Sequence, residues 1–174
     1  MAQPDMSEQA PNRLQRSLMR LDEAPAFMRG FVQNIILRRA VPFTGTAGVQ
    51  FVSLTPERVE VRLANERRVQ NHIGGVHASA MNLLAETATG MVVGMNVRDD
   101  CTPLAKELGM AFRKRATGGL KAIATLTPLQ REAMQASDKG EVQVQVTLTD
   151  DAGVQPVECA FTWAWVPASR PAKN

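Results

Sequence analysis

Residues 74–97 form an apolar segment, long enough for a helix of about five turns, with a single charged residue, Glu86. Apolar and small side chains occur at nearly every position, so a helix here would have no polar face to expose to solvent. A helix of this kind is buried on all sides, and its small residues let neighbouring backbone approach closely. His77, Asn82 and Glu86 argue against a membrane span, because polar groups are costly in hydrocarbon. The rest of the chain is therefore expected to wrap around this helix.

The segments on either side of residues 74–97 carry the alternating pattern of β-strands. Residues 49–54 and 58–63 alternate around Thr55-Pro56-Glu57 and predict a hairpin. Four more alternating segments follow the helix, at residues 103–116, 120–127, 141–150 and 157–166. The polar segment 128–140 between two of them predicts a loop with a helical turn or a mobile excursion. One curved antiparallel sheet of about six strands around one helix, an α+β domain, is the simplest arrangement that buries such a helix.

In the N-terminal region, apolar residues recur at the spacing of helices and do not alternate. Leu14, Leu18 and Leu21 predict one helix, and a series from Phe27 to Ile36 predicts a second, with Pro25 in its first turn. Pro42 is expected to close the helical region. The predicted organisation is a disordered segment at 1–12, helices at 13–44, the α+β domain at 45–167 and a tail at 168–174.

Composition restricts the classes of function. The net charge of +3 is distributed over 20 basic and 17 acidic residues, which does not indicate a nucleic-acid surface. The first residues lack the apolar core of a secretory signal, so cytoplasmic residence is expected. Cys101 and Cys159 are expected to be free thiols, because no metal-ligand spacing surrounds them.

Glu86 is the strongest candidate for chemistry. A carboxylate on a buried helix loses hydration, which raises its pKa and suits it to act as a general base or nucleophile near neutral pH. The alternative is a structural role, in which Glu86 pairs with an arginine or lies in a subunit interface. The residues alone leave both readings open.

The loop before the helix provides the remaining candidates. His77 and Asn71 flank Gly74-Gly75 where the helix should begin, and free backbone N–H groups at a helix start can polarise a carbonyl. The alternative is a glycine turn that only directs the chain into the helix. His72, His77 and Glu86 lack a metal-ligand pattern, so neither a metal nor a cofactor is predicted. Arg113-Lys114-Arg115 is either a solvated basic cluster or a contact for a ligand phosphate.

These residues resemble a motif of the hotdog-fold acyl-CoA thioesterases of the phenylacetic-acid-degradation type, which include a poorly characterised bacterial branch. That family has N-x-x-G-x-x-H-G-G before its central helix and an acidic residue nine positions after the His. Asn71, Gly74, His77 and Glu86 fit this spacing, and AFRKRATGGLKAIA is similar to the family's third and fourth strands. The resemblance covers residues 45–167 and implies a hotdog fold with an N-terminal helical extension.

The resemblance also implies roles for individual residues. Glu86 would be the base or nucleophile, Asn71 would hold water or the carbonyl, and the Ala78 N–H would polarise the thioester oxygen. His77 would support the loop or the substrate. The substrate would be an acyl-CoA or related thioester, and the site would form between the subunits of a homodimer or a dimer of dimers. The sequence departs from the family at Ala78-Ser79, where the family has two glycines.

Two alternative functions remain. A non-catalytic hotdog protein that binds acyl groups is favoured by Ala78-Ser79. A hotdog dehydratase or hydratase is disfavoured, because the 71–79 loop lacks the proline-containing pattern of that branch.

Overall fold

The computed structural model describes residues 10–21 and 25–168. The predicted disordered segment and C-terminal tail lie almost entirely outside these residues. The helices are α1 Arg13–Leu21, α2 Ala26–Ala40, α3 Pro42–Ala47, α4 Ala78–Gly94 and α5 Pro128–Ala136. The strands are β1 Gln50–Leu54, β2 Arg58–Leu63, β3 Cys101–Phe112, β4 Leu120–Thr125, β5 Gly140–Asp150 and β6 Val157–Pro167, and a short 3-10 helix spans Arg67–Val69.

The six strands form one antiparallel, curved sheet in the order β1-β2-β4-β5-β6-β3. Helix α4 contacts every strand from β2 to β6. This confirms the predicted α+β architecture, with the apolar helix enclosed by the sheet. No helix in the described ranges is long and apolar enough to cross a membrane.

The core lies between α4 and the inner face of the sheet. On the helix, Leu84, Ala85, Ala88, Val92 and Val93 are fully buried. Alternate residues of β4, β5 and β6 are buried against them, as the period of two requires. Truncating Leu84 to Ala is expected to cost about 2–5 kcal/mol, so packing between the helix and the sheet contributes strongly to the stability of the fold.

Trp163 of β6 fixes the middle of α4 against the sheet. Its indole Nε1–H donates to the buried hydroxyl of Thr89 at 3.0 Å. A Cβ at Gly90 would come within 2.8 Å of the Trp163 ring, so only glycine permits this close packing. The contact holds the helix one turn beyond Glu86.

Helix α1 caps the other end of α4. Asn12 is buried, and its side-chain amide donates to the carbonyls of Gly94 at 2.9 Å and Val97 at 2.7 Å. Its Oδ1 accepts the N–H of Gln15 at 3.0 Å. One residue therefore begins α1 and satisfies carbonyls at the end of α4.

The expectation that Pro42 closes the helical region is wrong. Pro42 begins α3, because a proline at the first position of a helix loses no hydrogen bond and has a suitable φ. In α2, Phe27 and Phe31 are 86% and 68% exposed, whereas Leu37 is buried. Asn34 joins α2 to β1 by bonding both the N–H and the carbonyl of Phe51.

The segment 128–140 is more regular than a loop with one turn. It contains the nine-residue helix α5, which begins with a capping box between Thr127 and Gln130. Met134 of this helix is fully buried in the core. Because most residues of the segment are polar, its composition does not indicate that Met134 reaches the core.

Candidate active site

Helix α4 begins at a cap formed by His77. The Nδ1 atom of His77 accepts the N–H of Ser79 at 3.0 Å, which places the ring proton on Nε2. The backbone N–H of His77 donates to the Val69 carbonyl at 2.7 Å. The N–H of Ala78, the first helical residue, has no acceptor among the described residues. It is therefore available at the positive end of the helix dipole.

The loop before this cap is shaped by Asn71. Its Oδ1 accepts the N–H groups of Ile73 at 3.0 Å and Gly75 at 3.1 Å, and its own N–H donates to the Gly75 carbonyl at 2.8 Å. Gly74 has a φ of 77°, which requires glycine for an unstrained turn. Asn71, Gly74 and Gly75 therefore hold the loop, and none of them lines the cleft described next.

A cleft of about 400 Å³ lies beside the N-terminal half of α4. Helix α4 contributes Ala78, Ser79, Asn82, Leu83 and Glu86, and the opposite side consists of Phe43 from α3 and Leu108, Met110 and Phe112 from β3. The α4 residues are three or four positions apart, which places them on one face of the helix.

Glu86 lies in this cleft, half-buried. Its carboxylate has no hydrogen bond or ion pair within the described residues. Loss of hydration raises the pKa of the Glu86 carboxyl above its usual value. Such a carboxylate is a stronger base than an exposed one, and it faces open space in which a substrate or water can lie.

The wall opposite α4 is apolar and partly open. Phe43 and Phe112 are 60% and 51% exposed, and Leu108 is also accessible. Leu108 and Phe112 lie on β3, which among the described strands pairs only with β6 and forms one edge of the sheet. One side of the cleft is therefore an unpaired strand edge with exposed apolar side chains.

The basic cluster lies at the end of β3, next to the loop before α4. Arg113 forms an ion pair with Glu158 at 2.8 Å, which raises the pKa of the arginine and lowers that of the carboxyl. Arg115 donates to the Ile73 carbonyl at 3.1 Å, which ties the cluster to the loop. Lys114 is exposed and its ammonium has no partner in the part of the chain that the structure describes.

Other reactive groups are accounted for structurally. The thiols Cys101 and Cys159 are free, and burial raises the pKa of Cys159 to about 11, so neither is an activated nucleophile. No cluster of three or more His, Cys, Asp or Glu within residues 10–21 and 25–168 could hold a metal ion.

A larger polar depression of about 880 Å³ lies between the ends of β2, β4 and β5. Its carboxylates stabilise turns: Asp150 accepts the N–H groups of Thr117, Ala152 and Val154, which lowers its pKa, and Asp151 accepts the N–H of Gly119. Neither carboxylate resembles the unpaired base in the first cleft.

Sequence reasoning placed Glu86 and Ala78 at the centre, and the structure brings both to one cleft. Ser79 and Asn82, which were not among the candidates for chemistry from the sequence, also line that cleft. The spacing 79, 82, 86 along a helix could have shown that they share a face with Glu86. Phe43 and the residues of β3 reach the cleft through long-range packing, so no local sequence pattern predicts that they line it.

The sequence profile of a domain of unknown function, DUF4442, matches residues 31–166. The chain belongs to the DUF4442 family. The DUF4442 region extends from α2 into β6 and includes every residue of the cleft. No curated protein matches the chain.

Several solved structures share the fold of this DUF4442 protein. A Pseudomonas aeruginosa protein described as a probable thioesterase is 23% identical, with a TM-score of 0.71 over 79% of this chain and 95% of that chain. A Haemophilus influenzae thioesterase is 12% identical, with a TM-score of 0.62 over 75% and 87%. A thioesterase family protein from Silicibacter pomeroyi is 17% identical, with a TM-score of 0.63 over 80% and 100%. At these identities the likeness shows the hotdog fold.

Proposed function

We propose that this protein hydrolyses acyl thioesters, such as acyl-CoA, to a free acid and a thiol. The observation that carries the proposal is an unpaired carboxylate with a raised pKa, Glu86, in a cleft that also contains a free helix N-terminal N–H, that of Ala78. In a dimer, each of these two groups would act together with its counterpart from the other subunit. Thioester hydrolysis needs a base for water and a donor for the developing oxyanion. Similarity to the thioesterases named above, and to the phenylacetic-acid-degradation type in its Asn71-to-Glu86 spacing, supports the same reaction.

The reaction proceeds by attack of water. The Glu86 carboxylate takes a proton from water as the oxygen bonds to the thioester carbon, and the carbonyl oxygen becomes an oxyanion that the Ala78 N–H stabilises. The carbonyl then re-forms, the carbon–sulfur bond breaks, and the proton on Glu86 passes to the departing thiolate. No metal or organic cofactor takes part in these steps.

The two groups that act on one carbonyl come from different subunits in this proposal. Ala78 and Glu86 are eight residues apart on one helix, which separates their backbones by about 12 Å along its axis. The Glu86 side chain leans toward the helix start but spans only part of that distance. A second copy that pairs along the free edge of β3 would bring its own α4 N-terminus to the cleft. The site therefore requires a homodimer.

Asn71 and His77 support this site by holding the loop and capping α4, which keeps the Ala78 N–H free. Gly74 and Gly75 permit the tight turn before the helix. Lys114, with Arg113 and Arg115, offers positive charge near the helix start and suits the phosphates of a CoA carrier.

Release of free thiol from a panel of acyl-CoAs tests the activity. Glu86→Gln is expected to lower kcat by about 100-fold or more, since it removes the base and preserves the shape of the side chain. Glu132→Gln is the matched control, because Glu132 is an exposed carboxylate on α5 outside the cleft. Thiol release by Glu86→Gln at the wild-type rate would exclude this mechanism. Stabilisation by acyl-CoA without any thiol release would select the non-catalytic binder.

Ala78→Pro tests the oxyanion donor. Proline removes the N–H and is well tolerated at the first helical position. The preceding residue, His77, has φ −65° and ψ 144°, which is the conformation that a following proline favours. The helix is therefore expected to form, and kcat to fall by about 100-fold.

Mixing the two inactive variants tests the shared site. A heterodimer of Ala78→Pro with Glu86→Gln has one site with both functional groups and one site with neither. After subunit exchange, a 1:1 mixture is expected to recover about a quarter of the wild-type activity. No recovery, with heterodimers demonstrated by native mass spectrometry, would place both groups in one chain.

A further inference from the structure

Asn82 lies one helical turn before Glu86 on the face of α4 that lines the cleft. Side chains four positions apart on a helix are neighbours, with their Cβ atoms about 5–6 Å apart. The Glu86 side chain leans toward the helix start, which brings its carboxylate over the turn that carries Asn82. Ser79 is the other uncharged polar residue of the cleft, but it lies seven positions from Glu86, about 10 Å along the axis. Asn82 is therefore the polar cleft residue that stands beside the base.

Asn82 and Glu86 are neighbours without a bond between them. Asn82 is half-buried, and its amide makes no hydrogen bond with any described residue. Loss of hydration raises the pKa of Glu86, and no hydrogen bond from Asn82 opposes that shift. Within the described residues, the fully buried side-chain atoms that lack a partner are Asn65 Oδ1 and Arg131 Nε, so the amide of Asn82 is accessible to solvent. One water molecule can therefore contact both the carboxylate and the amide.

A water molecule that attacks a carbonyl carbon has to be oriented as well as deprotonated. One of its O–H groups donates to the base, and a lone pair of its oxygen has to face the carbon. An acceptor for the second O–H group fixes the direction of that lone pair. A neutral amide oxygen is such an acceptor, and it leaves the proton transfer to the base.

Asn71, which the family resemblance assigns to holding the water or the carbonyl, has its amide oxygen occupied. Its Oδ1 accepts the N–H groups of Ile73 at 3.0 Å and Gly75 at 3.1 Å, and Asn71 does not line the cleft. The same bonds form in each copy of the chain. The acceptor for the second O–H group therefore has to come from another residue, and Asn82 has a free amide beside Glu86.

We propose that Asn82 positions the water molecule that Glu86 activates. The amide oxygen of Asn82 accepts one O–H group of the water and Glu86 accepts the other, so that the oxygen lone pair faces the thioester carbon. As the carbon–oxygen bond forms, one proton passes to Glu86, and the other stays on the attacking oxygen and becomes the hydroxyl proton of the acid. This inference rests on the proposed thioesterase function and adds a positioning residue to it.

Competition between water and methanol tests this role. Methanol has a single O–H group, which donates to Glu86, so it needs no acceptor at Asn82. Both nucleophiles attack the same enzyme–thioester complex, so effects on substrate binding cancel in the ratio of methyl ester to free acid. Asn82→Leu keeps the branching of the side chain and removes the acceptor. With the acyl-CoA that the wild type hydrolyses fastest, this variant is expected to raise the ratio by about tenfold and to lower kcat for hydrolysis by about tenfold, with KM little changed.

Asn82→Asp restores the acceptor and adds a charge. Above the acid limb of its kcat/KM profile, the ratio of methyl ester to free acid is expected to return to the wild-type value. The acid limb itself is expected to move up by about one pH unit, because a second carboxylate one turn away raises the pKa of Glu86. No other charged residue is among the described residues that line the cleft. A residue that only packs against the helix would produce neither result.

Thr87→Val provides the matched control. Thr87 is a half-buried polar residue on the same helix, its hydroxyl donates to the Leu83 carbonyl, and it does not line the cleft. Its variant is expected to keep the wild-type ratio and the wild-type acid limb. Thermal melting verifies the fold of all three variants.

Other results separate this inference from the proposed function. An equal ratio of methyl ester to free acid in the wild type and Asn82→Leu, including no ester from either, would overturn the assignment of Asn82 and leave the thioesterase proposal intact. Hydrolysis by Asn82→Leu at the wild-type kcat would overturn it too. No thiol release by the wild type from any member of the acyl-CoA panel would refute the proposed function itself.

Discussion

Glu60 on β2 and Glu86 on α4 are both partly or fully buried, but their carboxyl pKa values are shifted in opposite directions. Glu60 is the more buried, at 9% exposure, but it receives hydrogen bonds from Arg58 at 2.8 Å and from Arg62 at 3.0 and 3.1 Å. The Arg58 hydrogen bond is the main cause that lowers the pKa of Glu60. Glu86 has no such partner in the part of the chain that the structure describes, and loss of hydration raises its pKa.

The difference shows that burial by itself does not create a basic carboxylate. The cost of burying Glu60 is offset by two guanidinium groups, so its charge is stabilised and its oxygens are occupied. Glu86 lines an open cleft, and no hydrogen bond or ion pair within the described residues offsets its lost hydration. The missing cation, more than the depth of burial, distinguishes a candidate base from a structural acid.

The largest expected effect is a lower pKa of Glu86 when a cation is placed beside it. Asn82→Arg places a guanidinium one turn before Glu86, and an opposite charge within about 4–6 Å lowers a carboxyl pKa by about one unit or more. The acid limb of the kcat/KM profile is expected to move down by about one pH unit relative to Asn82→Met. The methionine variant matches the length of the arginine without its charge. Coincident acid limbs in the two variants would mean that Glu86 does not titrate in the profile.

The next largest expected effect is a loss of stability when the charge of Glu60 is removed. Glu60→Gln leaves Arg58 and Arg62 side by side, and it is expected to lower the free energy of unfolding by about 1 kcal/mol with thiol release unaltered. Urea unfolding measures the loss. Glu141→Gln is the control, because Glu141 forms a half-exposed surface pair with Lys106 and is expected to change stability little. A loss of activity in Glu60→Gln would contradict its purely structural role.

The smallest expected effect is a gain in stability from Glu86→Gln. The pKa of Glu86 is raised in the folded state, so unfolding is favoured as pH rises above the unfolded value of 4.5. The variant is expected to be more stable than wild type by roughly 0.5 kcal/mol at neutral pH, because residual solvent contact limits the penalty. The gain should disappear below about pH 4.5, where both states are protonated. Thermal melting of both proteins across this pH range measures it, and a gain that is constant with pH would exclude an ionisation effect.

Glu60 should show the opposite pH dependence. Its pKa is lowered in the folded state, so its contribution is fully present above the unfolded value of 4.5 and is lost as pH falls through the folded value. The same melting series with Glu60→Gln therefore provides an internal comparison for the sign of the effect.

Most of the fold could be predicted from local patterns. The six strands and the buried helix α4 follow from alternation and from the near absence of charge in residues 74–97, and the structure confirms them. The errors occur where local and long-range forces compete. Pro42 stops one helix but begins another, and Phe27 and Phe31 follow a helical period without reaching the core.

Only part of the candidate site could be predicted from the sequence. Glu86 and the start of α4 have local signals, namely a lone acid in an apolar helix and a glycine turn before it. Phe43, Leu108, Met110 and Phe112 reach the cleft only because β3 returns along the sheet edge and α3 packs near α4.

The sequence by itself determined that this chain buries one helix within a sheet and places a carboxylate on it. Hydrophobic periodicity is a local property, and it specifies which residues leave water. The ion pairs of Glu60 with Arg58 and Arg62 follow from alternate positions on one strand, which residue order already fixes. Only the tertiary structure decided that Glu86 has no compensating cation, because no arginine or lysine is among the residues that line its cleft. Which side chains surround a residue of the central helix depends on distances in space, and residue order does not fix them.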